Sequence, residues 1–214
     1  MSALSTAVVE NPVKRRIIEI SAELFAKNGY SATGIAELEK AVGLGRGALY
    51  HHIESKENLL YEISIRHVLD MVLYGEGLLE EDLPAEVKLR TLARRLMRTI
   101  ADNLAQLTVF FADHRALNEP HAAELTAIRD RFEEVWVAIL RQGVDDGAFS
   151  QTDPVVVKGL LGMFNYSYLW LQPGGEKSPE TIADAFSDVV ISGIRGPRPD
   201  QRVAEVGTGP SEQL

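Results

Sequence analysis

The 214-residue chain has no cysteine, which excludes disulfides and thiolate-held metals. It has no apolar run approaching the ~18–20 residues that a membrane span requires, because charges interrupt every candidate. No long apolar block stands behind a basic start in residues 1–16, so no secretory signal is read there. A soluble, cytoplasmic protein with no membrane partner is the resulting expectation. Period-2 alternation between turn signals is scarce, and no internal repeat is visible. Three catalytic signatures are missing as well: a Gly-rich phosphate loop at a strand–helix junction, a Gly-x-Ser-x-Gly elbow and a His-Glu-x-x-His pair. No enzyme activity, cofactor or metal is therefore expected. Asp113, His114 and His121 lack metal-ligand spacing, and a helical enzyme with an unrecognised site is the rival class.

What is present is helix. Hydrophobic residues make up 45% of the chain, enough for a sizeable core, and they recur at i, i+3, i+4 throughout. The spacing predicts an all-α fold with helices at roughly 12–28, 34–42, 46–52, 56–75, 85–104, 106–117, 120–143, 154–171 and 179–194. Ser55 reads as the N-cap of the fourth. Asp153-Pro154 and Ser178-Pro179 open the last two, each with a cap and a first-turn proline. The segment 76–84 reads as an acidic loop. After Arg195 the composition turns to Gly, Pro and charge without periodicity, so 196–214 is expected to be a disordered tail.

The net charge of −9 looks wrong for a nucleic-acid binder, but its distribution is uneven. Residues 11–60 hold 7 Lys/Arg against 6 Asp/Glu, whereas 61–214 hold 15 against 24. The modest basic footprint of the first part (Lys14, Arg15, Arg16, Arg46, Lys56) implies that a single copy binds DNA weakly.

Residues 33–60 read as two short helices joined by Val42-Gly43-Leu44-Gly45 and followed by a capped long helix, which is a helix-turn-helix pattern. At about 100° per residue, Leu49 and Ile53 share the apolar side of the second short helix. Gly47, Ala48 and His51 then point away from the core, flanked by Arg46 and Tyr50. That face is too small and polar to bury, and it suits a groove floor. Gly47 permits close backbone approach, Ala48 offers a methyl to thymine, and His51 can donate to a base edge or a phosphate. Tyr50 and His52 are placed for phosphate oxygens, and Lys56 lies in the first turn of the next helix, where free N–H groups also attract phosphate.

Thr33, Leu38, Gly43, Gly47, Leu49, Tyr50, His52, Lys56, Glu57 and Leu59 stand at the spacing of the TetR family signature, which this segment closely resembles. The resemblance implies a TetR-like architecture: an N-terminal three-helix DNA-binding domain (11–58) and a helical ligand-binding and dimerisation domain (59–195). It also implies a homodimer on double-stranded DNA, with 46–52 as the recognition helix and Thr33, Arg46, Gly47, Ala48, Tyr50, His51, His52 and Lys56 as DNA contacts. Departures are Glu39 and Val42 where the family usually has Ala, Gly45 for a Ser cap, Ala48 for a frequent Thr, and Ile53 for Phe. Ala48 and Ala36 each remove one contact made in some relatives.

Two further fragments, 129–149 and 169–175, are similar to actinobacterial regulators of steroid and acyl-CoA catabolism, whose inducers are CoA thioesters. That likeness implies a small-molecule effector of acyl-CoA type. Phe110, Phe111, His114, Trp136, Phe164 and Tyr168 are then candidates to line its cavity, and Arg94, Arg95 and Arg98 to meet a nucleotide tail. Plain core aromatics and a solvated arginine face are the bland readings of the same residues. Gly159, Gly162, Ala183 and Ala185 allow close helix approach in the last two helices, where the family dimerises. The expected function is a repressor released from a palindromic operator by its ligand. A ligand-insensitive regulator or an activator is the alternative.

Overall fold

The computed structural model describes residues 11–150 and 153–195. The expected tail lies outside them. The described residues form α1 (Pro12–Asn28), α2 (Ile35–Val42), α3 (Arg46–Ile53), α4 (Lys56–Leu79), α5 (Ala85–Asp102), α6 (Leu104–Asp113), α7 (Glu119–Asp145), α8 (Pro154–Asn165) and α9 (Pro179–Ile194). Short 3-10 turns follow α6 and α8. Among the described residues there is no strand, only one isolated bridge between Phe149 and Arg195.

The caps explain most of the boundaries. Asn11, Ser55, Asn118, Asp153 and Ser178 each accept a first-turn backbone N–H with a side-chain oxygen. Gly43 ends α2 in the left-handed conformation, which costs glycine little.

Three expected boundaries move. Helix α4 runs past Gly75 to Leu79, and a Cβ at Gly75 would lie 2.7 Å from Val135 of α7, so only glycine lets the two helices pack this closely there. The buried Lys88 ammonium then donates to the Leu79 carbonyl and satisfies the end of that helix. The helix expected over 106–117 begins at Leu104 and gives way to a 3-10 turn at His114. The helix expected to reach 171 ends at Asn165, with 3-10 turns beyond.

Two cores result. The smaller joins α1, α2, α3 and the start of α4 around Ile17, Phe25, Leu38, Leu49 and Leu60, with Val109 contributed by α6. The larger is built on α4–α9, centred on Leu89, Leu92, Trp136, Ile139 and Phe164. Helix α4 belongs to both: Leu59, Leu60 and Ile63 to the first, Val68, Met71 and Val72 to the second. One continuous helix therefore runs from the helix-turn-helix into the large core.

Candidate nucleic-acid interface and effector cavity

Helix α3 buries Leu49 and Ile53 and leaves Arg46, Gly47, Ala48 and His51 exposed, with Tyr50 and His52 half-buried. The Arg46 guanidinium lies over the Tyr50 ring at 5.8 Å from its centroid, and the two histidine rings meet edge to face. The helix ends abruptly at Glu54, whose φ of 61° and ψ of −57° make a strained γ-turn closed by the Ser55 N–H donating to the Ile53 carbonyl (2.6 Å). The chain thus passes from α3 to the Ser55 cap of α4 with almost no slack.

Two expected contacts sit differently. Thr33 is only 1% exposed, and its hydroxyl donates to the Gly29 carbonyl (2.9 Å). It fastens the α1–α2 turn and presents no side chain to a groove, which corrects the expectation for that residue. Lys56 is turned inward. Its ammonium donates to the Tyr30 carbonyl (2.6 Å) and lies over the Tyr30 ring at 4.2 Å, and partial burial lowers its pKa against the pull of Asp113. Of its three donors, two are left for a ligand.

The larger core contains a cavity of about 530 Å³. Phe110 and Phe111 of α6 line it. His114, Trp136, Phe164 and Tyr168 do not. They form the layer behind: Tyr168 stacks on Phe111 (4.8 Å), His114 Nδ1 bonds to the Phe110 carbonyl, and Trp136 stacks on the fully buried Phe164. Reading aromatics alone missed the polar lining. His67 and Thr99 stand in the wall, while Arg129, Glu133 and Lys158 are charged members of it. Arg129 lies over the Phe110 ring (5.6 Å), and Lys158 pairs with Glu133 (2.9 Å). His67 had a visible signal, since it falls between Ile63 and Met71 on the apolar stripe of α4.

The arginines expected at a nucleotide tail are occupied elsewhere. Arg90, Arg94 and Arg98, each one turn apart on α5, face Asp188, Asp184 and Glu180 of α9 in a ladder of ion pairs. The Arg94 hydrogen bond holds the Asp184 carboxyl below its ordinary range, and Arg98 does the same for Glu180. Arg95 lies over Tyr74. Ala183 is also withdrawn from the expected dimer face, because it is fully buried in the large core. Gly159, Gly162 and Ala185 are exposed.

Cavity and DNA-facing helices share a set of polar fasteners. Three residues after Phe110, the Asp113 carboxylate accepts the Tyr30 backbone N–H (3.3 Å). Glu57, in the first turn of α4, accepts from the Asn118 backbone, the Asn118 amide and His121 Nδ1, at 2.9–3.0 Å. His121 stacks on Tyr61 (4.0 Å, 11°), whose hydroxyl is pushed up by burial and by Glu124.

The family model for bacterial regulatory proteins of the tetR family matches residues 17–63, and that for the tetracyclin repressor-like C-terminal domain matches 82–194. The chain belongs to the TetR family. It is a helix-turn-helix transcriptional regulator, with the all-α architecture that the family implies. Among relatives, it is 28% identical over 190 residues to the transcriptional repressor KstR2 of Rhodococcus jostii (strain RHA1), covering 86% of this chain and 92% of the relative. The crystal structure of the TetR-family regulator PfmR from Thermus thermophilus is 35% identical with a TM-score of 0.78, covering 83% of this chain and 97% of PfmR. A structure of AibR in complex with isovaleryl coenzyme A and operator DNA is 25% identical with a TM-score of 0.71, over 83% and 97% of the two chains. Among the described residues of this TetR-family chain, no helix is long and apolar enough to cross a membrane, and no group of three His, Asp or Glu is placed to hold a metal ion.

Proposed function

We propose that this regulator is a homodimeric repressor that leaves a palindromic operator when an acyl-CoA-type ligand fills the cavity. The DNA-reading unit is residues 11–58, and 59–195 bind the effector and dimerise, with the division running through α4. The observation that carries the reading is the sharing of α4. The helix begins with two residues intervening after α3 and, from eleven residues past Lys56, supplies His67, Val68 and Met71 to the cavity wall. A ligand bearing on that wall acts on a rod whose other end sets the recognition helix. Helix α6 works in parallel, since Phe110 and Phe111 face the cavity and Asp113 holds the α1–α2 turn. The ligands in the AibR complex, isovaleryl coenzyme A and operator DNA, support the pairing of effector and DNA, as does the resemblance to KstR2.

In this account Gly47, Ala48 and His51 approach base edges, while Arg46, Tyr50 and His52 meet phosphates. Lys56 chiefly fixes the turn beside them and adds a phosphate contact through its remaining donors. Exposed Val155, Gly159 and Gly162 on α8 and Tyr166 in the 3-10 turn after it, with Ala185 and Val189 on α9, form the dimer face. Two-fold symmetry then places two copies of α3 one helical turn of DNA apart, about 34–36 Å.

The test is fluorescence anisotropy of the protein on the intergenic DNA upstream of its own gene, with and without long-chain and steroid acyl-CoA thioesters. A specific complex that a thioester dissolves is the expected result. Tyr50→Ala should weaken binding to every DNA sequence alike, by roughly tenfold for a lost phosphate contact of about 1.4 kcal/mol. A complex indifferent to all thioesters would favour the ligand-insensitive reading. Absence of specific binding at low salt would overturn the proposal.

A further inference from the structure

The cavity wall contains a buried imidazole with one nitrogen unused. His67 sits in the middle of α4, 8% exposed, edge to face with Phe110 at 5.4 Å. The Ile63 carbonyl, one turn earlier on the helix, is the backbone acceptor that acts on the ring, while Nε2 has no hydrogen-bond partner among the described residues. A carbonyl only accepts, and with Nε2 unpartnered it is Nδ1 that faces this one and carries the proton. Nε2 is therefore a lone-pair acceptor. Burial depresses the imidazole to about 4, so the ring is neutral at physiological pH. A buried acceptor without a donor is costly, and a native chain seldom keeps one without a use.

Thr99 of α5 lines the same cavity, and its hydroxyl donates only to the thioether of Met71 (3.4 Å), a weak acceptor. Met71 is one turn beyond His67 on α4, so the unused acceptor and the weakly held donor occupy one stretch of wall. Most of the surrounding lining, including Val68, Leu96, Ile100 and Leu107, is apolar and adds no hydrogen bond.

We infer that His67 is a specificity-determining residue of the effector site, and that it selects a ligand whose apolar body carries a hydroxyl. That hydroxyl donates to His67 Nε2 and accepts from Thr99 Oγ1, replacing the Thr99–Met71 contact. The inference rests on the cavity being the effector site, and it adds the chemistry required at the inner wall. A ligand end that is pure hydrocarbon or a methyl ether leaves Nε2 unsatisfied, and such a site discriminates strongly against it.

The probe is a shape-matched pair, decahydro-2-naphthol and its methyl ether, used without DNA on full-length protein labelled with ¹⁵N-histidine. The alcohol should shift the Nε2 resonance of His67 upfield as the lone pair accepts its hydrogen bond, and the ether should not. In calorimetric titrations the alcohol should bind the wild type at least tenfold more tightly than the ether, on the order of one hydrogen bond. In His67→Phe, which keeps the ring packing against Phe110, the ratio should fall to near one. The labelled wild-type spectrum stands as evidence even where the variant folds poorly. Alcohol binding that leaves the His67 resonances unmoved overturns the inference, as do equal affinities in the wild type or no alcohol binding at millimolar concentration. Operator release by thioesters is read separately, so failure of either idea is distinguishable from failure of the other.

Discussion

At the residue scale, roles divide by what each side chain touches. Helical phase placed Leu49 and Ile53 inside and Gly47, Ala48 and His51 outside, and the burial pattern agrees. Thr33 and Lys56 differ because a sequence shows spacing but not the local hydrogen-bond partner that claims a polar side chain. Here the Gly29 and Tyr30 carbonyls do so. His67 also sets a pH dependence. Its folded pKa, about 4, lies below the value near 6.5 of the unfolded chain, so the unfolded state binds more protons between those values. Stability therefore falls as pH drops below about 6.5, and the loss levels off near 4. Between pH 7 and pH 5 urea denaturation should show the wild type losing about 2 kcal/mol more than His67→Phe. Parallel losses in the two proteins would contradict a buried neutral histidine.

At the element scale, caps and prolines were legible because they act through the chain's nearest neighbours. Ser55, Asp153-Pro154 and Ser178-Pro179 begin helices where expected. Long-range packing was not legible. Gly75 reads locally as a stop, yet it is the point where α4 crosses α7 against Val135. Which aromatics line the cavity depends on the rotation of each helix against its neighbours, so Phe110 and Phe111 face it while Trp136 and Phe164 fill the core behind. Gly143 makes the packing point testable. A Cβ there would meet the Phe149 ring at 2.1 Å, and Phe149 is itself buried at the bridge to Arg195. Gly143→Ala should cost about 1–3 kcal/mol, although Ala is the better helix former. A thermal melt at or above that of the wild type would show that the α7 end yields more easily than the geometry indicates.

At the scale of the whole molecule, an acidic chain with a sparsely basic reading head needs two heads to hold DNA. On the exposed face of Gly159 and Gly162, a Cβ added at either glycine meets no atom within 4 Å among the described residues, so a side chain has room to leave the helix there. Gly159→Arg should leave the fold intact by circular dichroism while sedimentation shows monomers. Its operator affinity should fall by roughly a hundredfold or more as the second reading head is lost, about 2.8 kcal/mol. A Gly159→Arg protein that remains dimeric would move the interface elsewhere. The overall architecture was readable from periodicity and one motif, whereas the coupling of the two cores through α4, Glu57 and Asp113 emerges only from the fold.

That coupling is the central claim, and thermodynamic linkage makes it measurable from either side. The direct measurement is calorimetric titration of the releasing acyl-CoA thioester into the free protein and into its saturated operator complex. The account predicts weaker thioester binding in the complex, by the same factor by which the thioester weakens DNA binding. Equal thioester affinity with and without operator would contradict it, because a cavity that does not sense DNA cannot control it.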